Sequence, residues 1–146
     1  MKKEHTVPIQ IRFNDIDLAG HVYNAKYQEF FDLARVKYFE DVLGSLINWT
    51  DNSLIIASVK VDYIQSIFLK DKIKVETHVT LLGEKSFEMT QWTFKNELAE
   101  PVAVGKTIMV CFDMTTRASK VIPLEWREKF MEFEPGLNLD QSIRKV

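Results

Sequence analysis

The sequence lacks the features that mark several large classes of protein. It contains one cysteine, Cys111, so no internal disulfide can form. No apolar run approaches the roughly 18 residues needed to span a bilayer, and the first residues do not resemble a secretory leader. Nineteen Lys and Arg are balanced by 21 Asp and Glu, which leaves no basic excess to bind nucleic acid. These absences predict a soluble, cytoplasmic protein whose partners include neither nucleic acid nor membrane.

Glycine and proline are also scarce, at 5 and 4 residues, which excludes collagen-like and low-complexity chains. Hydrophobic residues make up 46% of the chain and charged residues 27%, a balance typical of folded rather than disordered proteins. The length suits one buried core, and no repeat or linker divides it. The sequence therefore predicts a single domain over residues 1–146.

Residues for metal or nucleophilic chemistry are few and dispersed. His5, His21 and His78 fall in different segments and form no ligand set, so we expect no metal site. Cys111 lies in an apolar stretch without a neighbouring cation, which is typical of a small buried hydrophobic residue rather than a reactive thiolate. The glycine-flanked serine motif of α/β hydrolases and the phosphate-binding loop are both missing. We accordingly expect no bound cofactor.

Alternation of apolar and polar residues with a period of two predicts three strands, and turn residues delimit two more. They cover Val7–Phe13, Ala57–Tyr63, Lys72–Leu81, Ser86–Lys95 and Val102–Met114. Turn residues near 83–85 and 96–97 join the last three strands as hairpins. These strands are therefore expected to form an antiparallel meander.

Between the first two strands, the spacing of apolar residues predicts a long helix from about Ala25 to Leu43. Asn24 is a favourable N-cap residue, and Gly44 is a favourable residue to end the helix. Apolar residues occupy so much of its circumference that we expect the helix to be largely enclosed. A shorter helix is predicted after Pro123. The element order predicts an α+β fold in which a curved antiparallel sheet of about five strands wraps one long central helix.

The connection into the long helix concentrates groups that can perform chemistry. It carries Asp15, Asp17, Gly20 and His21 directly before the expected helix start. Unpaired N–H groups at a helix start can polarise a carbonyl oxygen, and a nearby carboxylate can attack the carbon or activate water. Turn formation is the alternative interpretation, because Asp, Gly and Asn are common turn and cap residues.

The spacing in this connection resembles a known signature: Asp15-x-Asp17-x-x-Gly20-His21-Val22-x-Asn24-x-x-Tyr27. It is similar to the hot-dog-fold acyl-CoA thioesterases of the 4-hydroxybenzoyl-CoA thioesterase (YbgC-like) family. Weaker similarity continues through Gly83-x-Lys85-Ser86-Phe87 and Val121-Ile122-Pro123. The resemblance implies a hot-dog fold and hydrolysis of an acyl-CoA thioester to the free acid and coenzyme A.

The resemblance also implies roles for individual residues. Asp17 is the catalytic carboxylate, acting as general base or as nucleophile, and a backbone N–H at or beside Asn24 binds the thioester oxygen. The oxyanion and substrate-binding set comprises Gly20, His21, Val22, Tyr23, Asn24 and Tyr27. Asp15 is assigned a structural turn role rather than a catalytic one.

Coenzyme A carries phosphates, so local cations are candidate contacts for it. Lys85, Arg117 and Lys120, together with Ser86, lie in turns or at strand ends and are weaker candidates for coenzyme A binding. Trp49 either covers an acyl pocket or anchors the loop after the long helix. The resemblance implies a homodimer joined edge to edge, with active sites at the subunit boundary, commonly paired again into a homotetramer.

Two other functions remain open from the sequence. One is a hot-dog hydratase or dehydratase acting on acyl thioesters, although the Asn-Pro spacing of those enzymes is missing. The other is a noncatalytic module that binds acyl thioesters. Acyl carrier protein also remains an alternative to coenzyme A as the leaving group.

Overall fold

Seven strands and two α-helices follow one another along residues 4–139, the part of the chain that the computed structural model describes. Two short 3-10 turns, at Phe13–Asp15 and Gly44–Leu46, flank the first helix. The elements are β1 (His5–Ile9), α1 (Lys26–Val42), β2 (Ser53–Tyr63), β3 (Ile73–Leu82), β4 (Ser86–Lys95), β5 (Ala103–Asp113), β6 (Ala118–Ser119), α2 (Leu124–Phe133) and β7 (Asn138–Leu139).

The strands form one sheet in the order β1-β3-β4-β5-β2, with antiparallel pairing along this path. The short strand β6 pairs with β5, and β7 pairs in parallel with β3. Both predicted hairpins, β3–β4 and β4–β5, are confirmed. The strands β1 and β2 therefore lie at opposite ends of the sheet, and β2 presents an edge that no described strand covers.

The predicted strand boundaries hold best in the meander, where β4 matches and β3 and β5 differ by one residue at each end. The first strand was predicted too long, because it ends at Ile9 rather than Phe13. The Asp15 carboxylate accepts a hydrogen bond from the Arg12 N–H at 2.8 Å and stabilises a turn there. Phe13 is consequently 81% exposed instead of buried in a strand.

One side of α1 supplies the core, while its other side faces outward. Its buried side chains are Tyr27, Phe30, Phe31, Ala34, Arg35, Tyr38, Phe39 and Val42. Leu33 and Val36, whose apolar character suggested an enclosed helix, are 60% and 46% exposed. The expectation of near-complete enclosure is wrong at these positions, because the sheet packs against a single side of the helix.

The two ends of α1 differ from each other in how well the sequence predicted them. The N-cap residue is Ala25, in helical conformation, and no side chain caps the helix. The prediction that Asn24 serves as N-cap is therefore wrong. At the other end, Gly44 has φ +56°, a left-handed conformation that glycine adopts without a side-chain penalty.

The predicted second helix is confirmed as α2, and the residue after it joins α1 to the sheet. Glu134 is 7% exposed, accepts a hydrogen bond from the Tyr38 hydroxyl at 3.0 Å and lies 3.0 Å from His78 Nδ1. The hydrogen bond to Glu134 raises the pKa of His78, and Glu76, 2.7 Å from His78 Nε2, acts in the same direction. Burial and the charge of Glu134 raise the pKa of Tyr38.

No helix in residues 4–139 is long and apolar enough to cross a membrane.

Candidate active site

The loop before α1 is fixed by hydrogen bonds around a buried carboxylate. Asp15 is completely buried, and its carbonyl oxygen accepts the Tyr23 N–H at 2.8 Å while its side chain holds the Arg12 amide. The nearest cations, Arg12 Nη2 and Lys26 Nζ, lie 3.9 Å from Asp15 Oδ1. Asp15 therefore has the expected structural role, because its hydrogen bonds join Arg12 at one end of the loop to Tyr23 at the other.

Asp17 lies in a tight turn within that loop. Its N–H donates to the His21 carbonyl at 3.1 Å, and the Gly20 N–H donates to the Asp17 carbonyl at 3.0 Å. Gly20 adopts φ +88°, which explains the requirement for glycine at this position. The carboxylate oxygen Oδ1 accepts the Ala19 N–H at 2.8 Å. Asp17 Oδ2 has no hydrogen-bond partner among residues 4–139 and is available to a substrate or to water.

The start of α1 leaves backbone donors free beside this carboxylate. Lys26 N–H donates to the Tyr23 carbonyl at 2.9 Å, and Gln28 N–H donates to the Ala25 carbonyl at 3.2 Å. Within the described chain, the N–H groups of Asn24 and Ala25 donate to no other residue. Free N–H groups at a helix start carry partial positive charge and attract an oxygen that becomes negative.

Asp17 and the helix start share one pocket of about 290 Å³. The predicted residues that line it are Asp17, His21, Val22, Tyr23, Asn24 and Tyr27. Gly20 lies outside the lining, so its contribution is the conformation of the loop. His21 is partly buried and packs edge-on against the Phe68 ring at 6.1 Å between centroids.

The opposite wall of the pocket was missed by sequence reasoning. It consists of Tyr63, Ile64, Gln65 and Ser66, at the end of β2 and in the segment after it. The Tyr63 ring packs edge-on against Tyr27, with centroids 4.9 Å apart. Burial raises the pKa of Tyr27, and the neighbouring Tyr63 raises it further. The end of a predicted strand gives no local signal of a site, because this wall depends on where β2 lies relative to α1.

The candidate coenzyme A contacts lie far from this pocket within one chain. Lys120 Nζ donates to Asn52 Oδ1 at 2.7 Å, next to the start of β2, whereas the pocket adjoins its end at Tyr63. Eleven residues of strand separate these regions by roughly 33 Å. Arg117 is exposed with φ +57°, in the turn between β5 and β6.

Lys85 and Ser86 lie at the same far end, at the start of β4. The Lys85 carbonyl accepts the Cys111 N–H at 2.9 Å, and Ser86 is 1% exposed. Cys111 is 1% exposed, which confirms that it is a buried residue, and this burial raises the pKa of its thiol to about 12. Trp49 is 52% exposed and does not line the pocket.

A larger groove of about 830 Å³ runs between β1 and α1. Asp15, Phe30 and Leu33 contribute to its lining, but Asp17 and the free amides at the helix start do not. Among residues 4–139, no group of three or more His, Cys, Asp or Glu side chains is placed to hold a metal ion. The smaller pocket is thus the one that brings together an available carboxylate and free backbone donors.

This arrangement brings a carboxylate and a helix start to one pocket of an α+β hot-dog fold. The family model described as the thioesterase-like superfamily matches residues 11–135, and the chain belongs to that family.

Individual relatives agree with this assignment. The chain is 26% identical over 126 residues to the acyl-CoA thioesterase YbgC of Haemophilus influenzae, covering 84% of this chain and 91% of the relative. It is 30% identical over 129 residues to the 1,4-dihydroxy-2-naphthoyl-CoA hydrolase of Nostoc punctiforme, covering 81% and 82%. A Thermus thermophilus thioesterase, solved with coenzyme A and zinc, superposes with a TM-score of 0.77 at 28% identity and covers 89% of this chain and 93% of its own.

Proposed function

We propose that this protein hydrolyses acyl-CoA thioesters to a free acid and coenzyme A. The observation that carries the proposal is the pocket shared by Asp17 and Asn24, whose N–H donates to no other residue of the described chain. Relatives named as acyl-CoA thioesterases and as an acyl-CoA hydrolase support the same reaction. Neither a metal nor a cofactor is required by this chemistry, and we propose a cytoplasmic location.

In the proposed reaction the thioester oxygen accepts a hydrogen bond from the N–H of Asn24, a residue that lines the pocket. Negative charge that develops on this oxygen is then stabilised by fixed donors at the positive end of a helix. Asp17 either removes a proton from the attacking water or attacks the carbonyl carbon to form an anhydride that water hydrolyses. In both routes the C–S bond breaks and the thiolate of coenzyme A takes a proton; in the first route water supplies an oxygen of the free acid, and in the second water cleaves the anhydride, releasing the acid and restoring the Asp17 carboxylate.

The remaining pocket residues would bind the acyl group and exclude water. His21, Val22 and Tyr23 lie on one wall, and the Tyr63 ring of the opposite wall packs against Tyr27. Apolar and aromatic surfaces of this kind favour an acyl chain or ring over a charged group. Acyl carrier protein in place of coenzyme A would leave the chemistry at the carbonyl unchanged.

Release of free thiol from a panel of aliphatic and aromatic acyl-CoAs tests this function. We expect thiol release with at least one class of acyl group, together with the matching free acid. The same protein incubated with an enoyl-CoA is expected to leave the absorbance of the conjugated double bond unchanged. Loss of that absorbance without thiol release would instead identify a hydratase, and tight binding without either reaction would identify a binding module.

We further propose that two copies join through β2 and complete each other's sites. Ile56, Val59 and Tyr63 on this uncovered edge strand are 46%, 36% and 49% exposed. Antiparallel pairing of two β2 strands about a twofold axis sets the start of one beside the end of the other. Lys120 of the second copy, which lies near the start of its β2, would then approach the Asp17 pocket of the first. A tetramer would follow from pairing of two such dimers.

A charge in the middle of the β2 edge tests this assembly. We expect Val59→Asp to shift the protein to monomer in gel filtration and to remove most thioesterase turnover, because a charged edge strand resists pairing. Leu124→Asp, at a 69% exposed position on α2, is the matched control and is expected to remain oligomeric and active. A monomer before any substitution, or a fully active Val59→Asp monomer, would contradict the shared-site proposal.

A further inference from the structure

Tyr63 connects the end of β2 to the start of α1 at the active pocket. Its hydroxyl donates a hydrogen bond to the Asn24 carbonyl oxygen at 3.2 Å, across 39 residues of sequence. Its ring is held edge-on against Tyr27, a residue that is 3% exposed. The hydroxyl therefore contacts the backbone of the residue whose N–H faces the proposed thioester oxygen.

The Asn24 carbonyl lies outside the intrahelical hydrogen bonds of α1. The helix begins at Lys26 with Ala25 as N-cap, so Asn24 precedes the cap and its carbonyl is not used by the first turn. The Gln28 N–H donates to the Ala25 carbonyl at 3.2 Å. Tyr63 therefore donates to a carbonyl that the helix leaves free.

This hydrogen bond fixes the backbone of Asn24, a residue that lines the pocket. The Asn24 carbonyl and the Ala25 N–H belong to one planar peptide group, in which they point in opposite directions. A hydrogen bond to this carbonyl restricts rotation of the peptide group and of the Asn24 backbone. It therefore keeps the Asn24 N–H in place at the helix start.

The segment that begins at Tyr63 is itself anchored at two further points. The Ile67 carbonyl accepts the Val22 N–H at 2.7 Å, which joins the segment to the Asp17 loop. The Ser66 carbonyl accepts a hydrogen bond from Lys95 Nζ at 2.7 Å, which joins the segment to β4. Tyr63 therefore holds the helix start against a support that is fixed independently of its hydroxyl.

We infer that Tyr63 is a positioning residue for thioester hydrolysis, which orients the Asn24 N–H at the helix start through the Asn24 carbonyl. The inference rests on the proposed function for its effect on turnover. It does not make Tyr63 a catalytic residue, because its hydroxyl is already engaged with the protein backbone. The predicted consequence is a contribution to kcat with little contribution to substrate binding.

Tyr63→Phe removes the hydroxyl and retains the ring against Tyr27. We expect kcat for acyl-CoA hydrolysis to fall about 3- to 10-fold, the range for loss of one net hydrogen bond, with KM changed less than twofold. Tyr38→Phe is the matched control, since it removes a tyrosine hydroxyl that bonds Glu134 outside the pocket. That control should lower the melting temperature and leave kcat unchanged. The Asn24 carbonyl carbon resonance should shift in Tyr63→Phe alone.

The results that would overturn the inference are distinct from those that would overturn the proposed function. An unaltered kcat in Tyr63→Phe, a change confined to KM, or failure of this variant to fold would contradict a positioning role. An unchanged Asn24 carbonyl resonance would show that the hydrogen bond is absent, whatever the turnover. Absence of thiol release from the unsubstituted protein would instead contradict the proposed function, and the resonance would still decide whether the contact exists.

Discussion

Replacement of Asp17 by Asn is expected to lower thioester turnover by about 10² to 10⁴, the usual contribution of a positioned acid or base. The amide of Asn has nearly the shape of the carboxylate and can still accept the Ala19 N–H hydrogen bond. It can neither remove a proton from water nor attack the thioester carbon effectively. The loop should therefore remain folded while the chemical step slows, as measured by free-thiol release under saturating acyl-CoA.

Asp113→Asn provides a control with the same local geometry. The Asp113 carboxylate accepts the Thr115 N–H at 2.8 Å, as Asp17 accepts the Ala19 N–H at 2.8 Å. Asp113 ends β5 and does not line the Asp17 pocket. We expect turnover within twofold of the unsubstituted protein in this control. Comparable activity in Asp17→Asn would exclude Asp17 from the reaction.

Replacement of Glu134 by Ala is expected to reduce the free energy of unfolding by about 3 kcal/mol. The substitution leaves the Tyr38 hydroxyl and His78 Nδ1 buried without their partner. It also releases the end of α2 from α1 and the sheet. Denaturant unfolding measures the change, and Glu132→Ala at an exposed position on α2 is the control, with an expected change below about 0.5 kcal/mol.

The same substitution should alter how stability depends on pH. The pKa of His78 is raised in the folded protein, chiefly by Glu134. A raised pKa means that the stabilisation is fully present below the unfolded value of about 6.5 and is lost as pH rises through the folded value. The difference in unfolding free energy between the unsubstituted protein and Glu134→Ala should therefore be larger at pH 6 than at pH 9. A difference independent of pH would indicate that His78 is not charged in the folded state.

Local sequence patterns predicted the elements whose two faces differ clearly. In β3, apolar and polar residues alternate between opposite faces of the sheet, and turn residues delimit β4, so both sets of boundaries could be read to within a residue. The long helix was predicted from its apolar spacing, and its end from Gly44. Exposure of Leu33 and Val36 could not be predicted, because apolar character does not reveal which side of a helix lacks a covering layer.

The candidate site likewise has one part that the sequence predicted and another that only the structure revealed. Residues from Asp17 to Tyr27 are close in sequence, and their spacing alone indicated a carboxylate loop that leads into a helix start. The prediction that Asn24 is the N-cap was wrong, because no side chain caps α1 and the hydrogen bond at Asn24 is made by its backbone carbonyl. The identity of the free donors became clear only from the hydrogen bonds of the first turn.

By itself, the sequence determined an α+β chain with a carboxylate-bearing loop before a long helix, because these features depend on residues a few positions apart. Only the tertiary structure decided which residues complete the site. Tyr63 reaches Asn24 because β2 pairs with β5 in a register that ends beside the start of α1. The Glu134 contacts with Tyr38 and His78 span 96 and 56 residues in the same manner. Such contacts depend on strand register and helix packing, which local spacing does not encode.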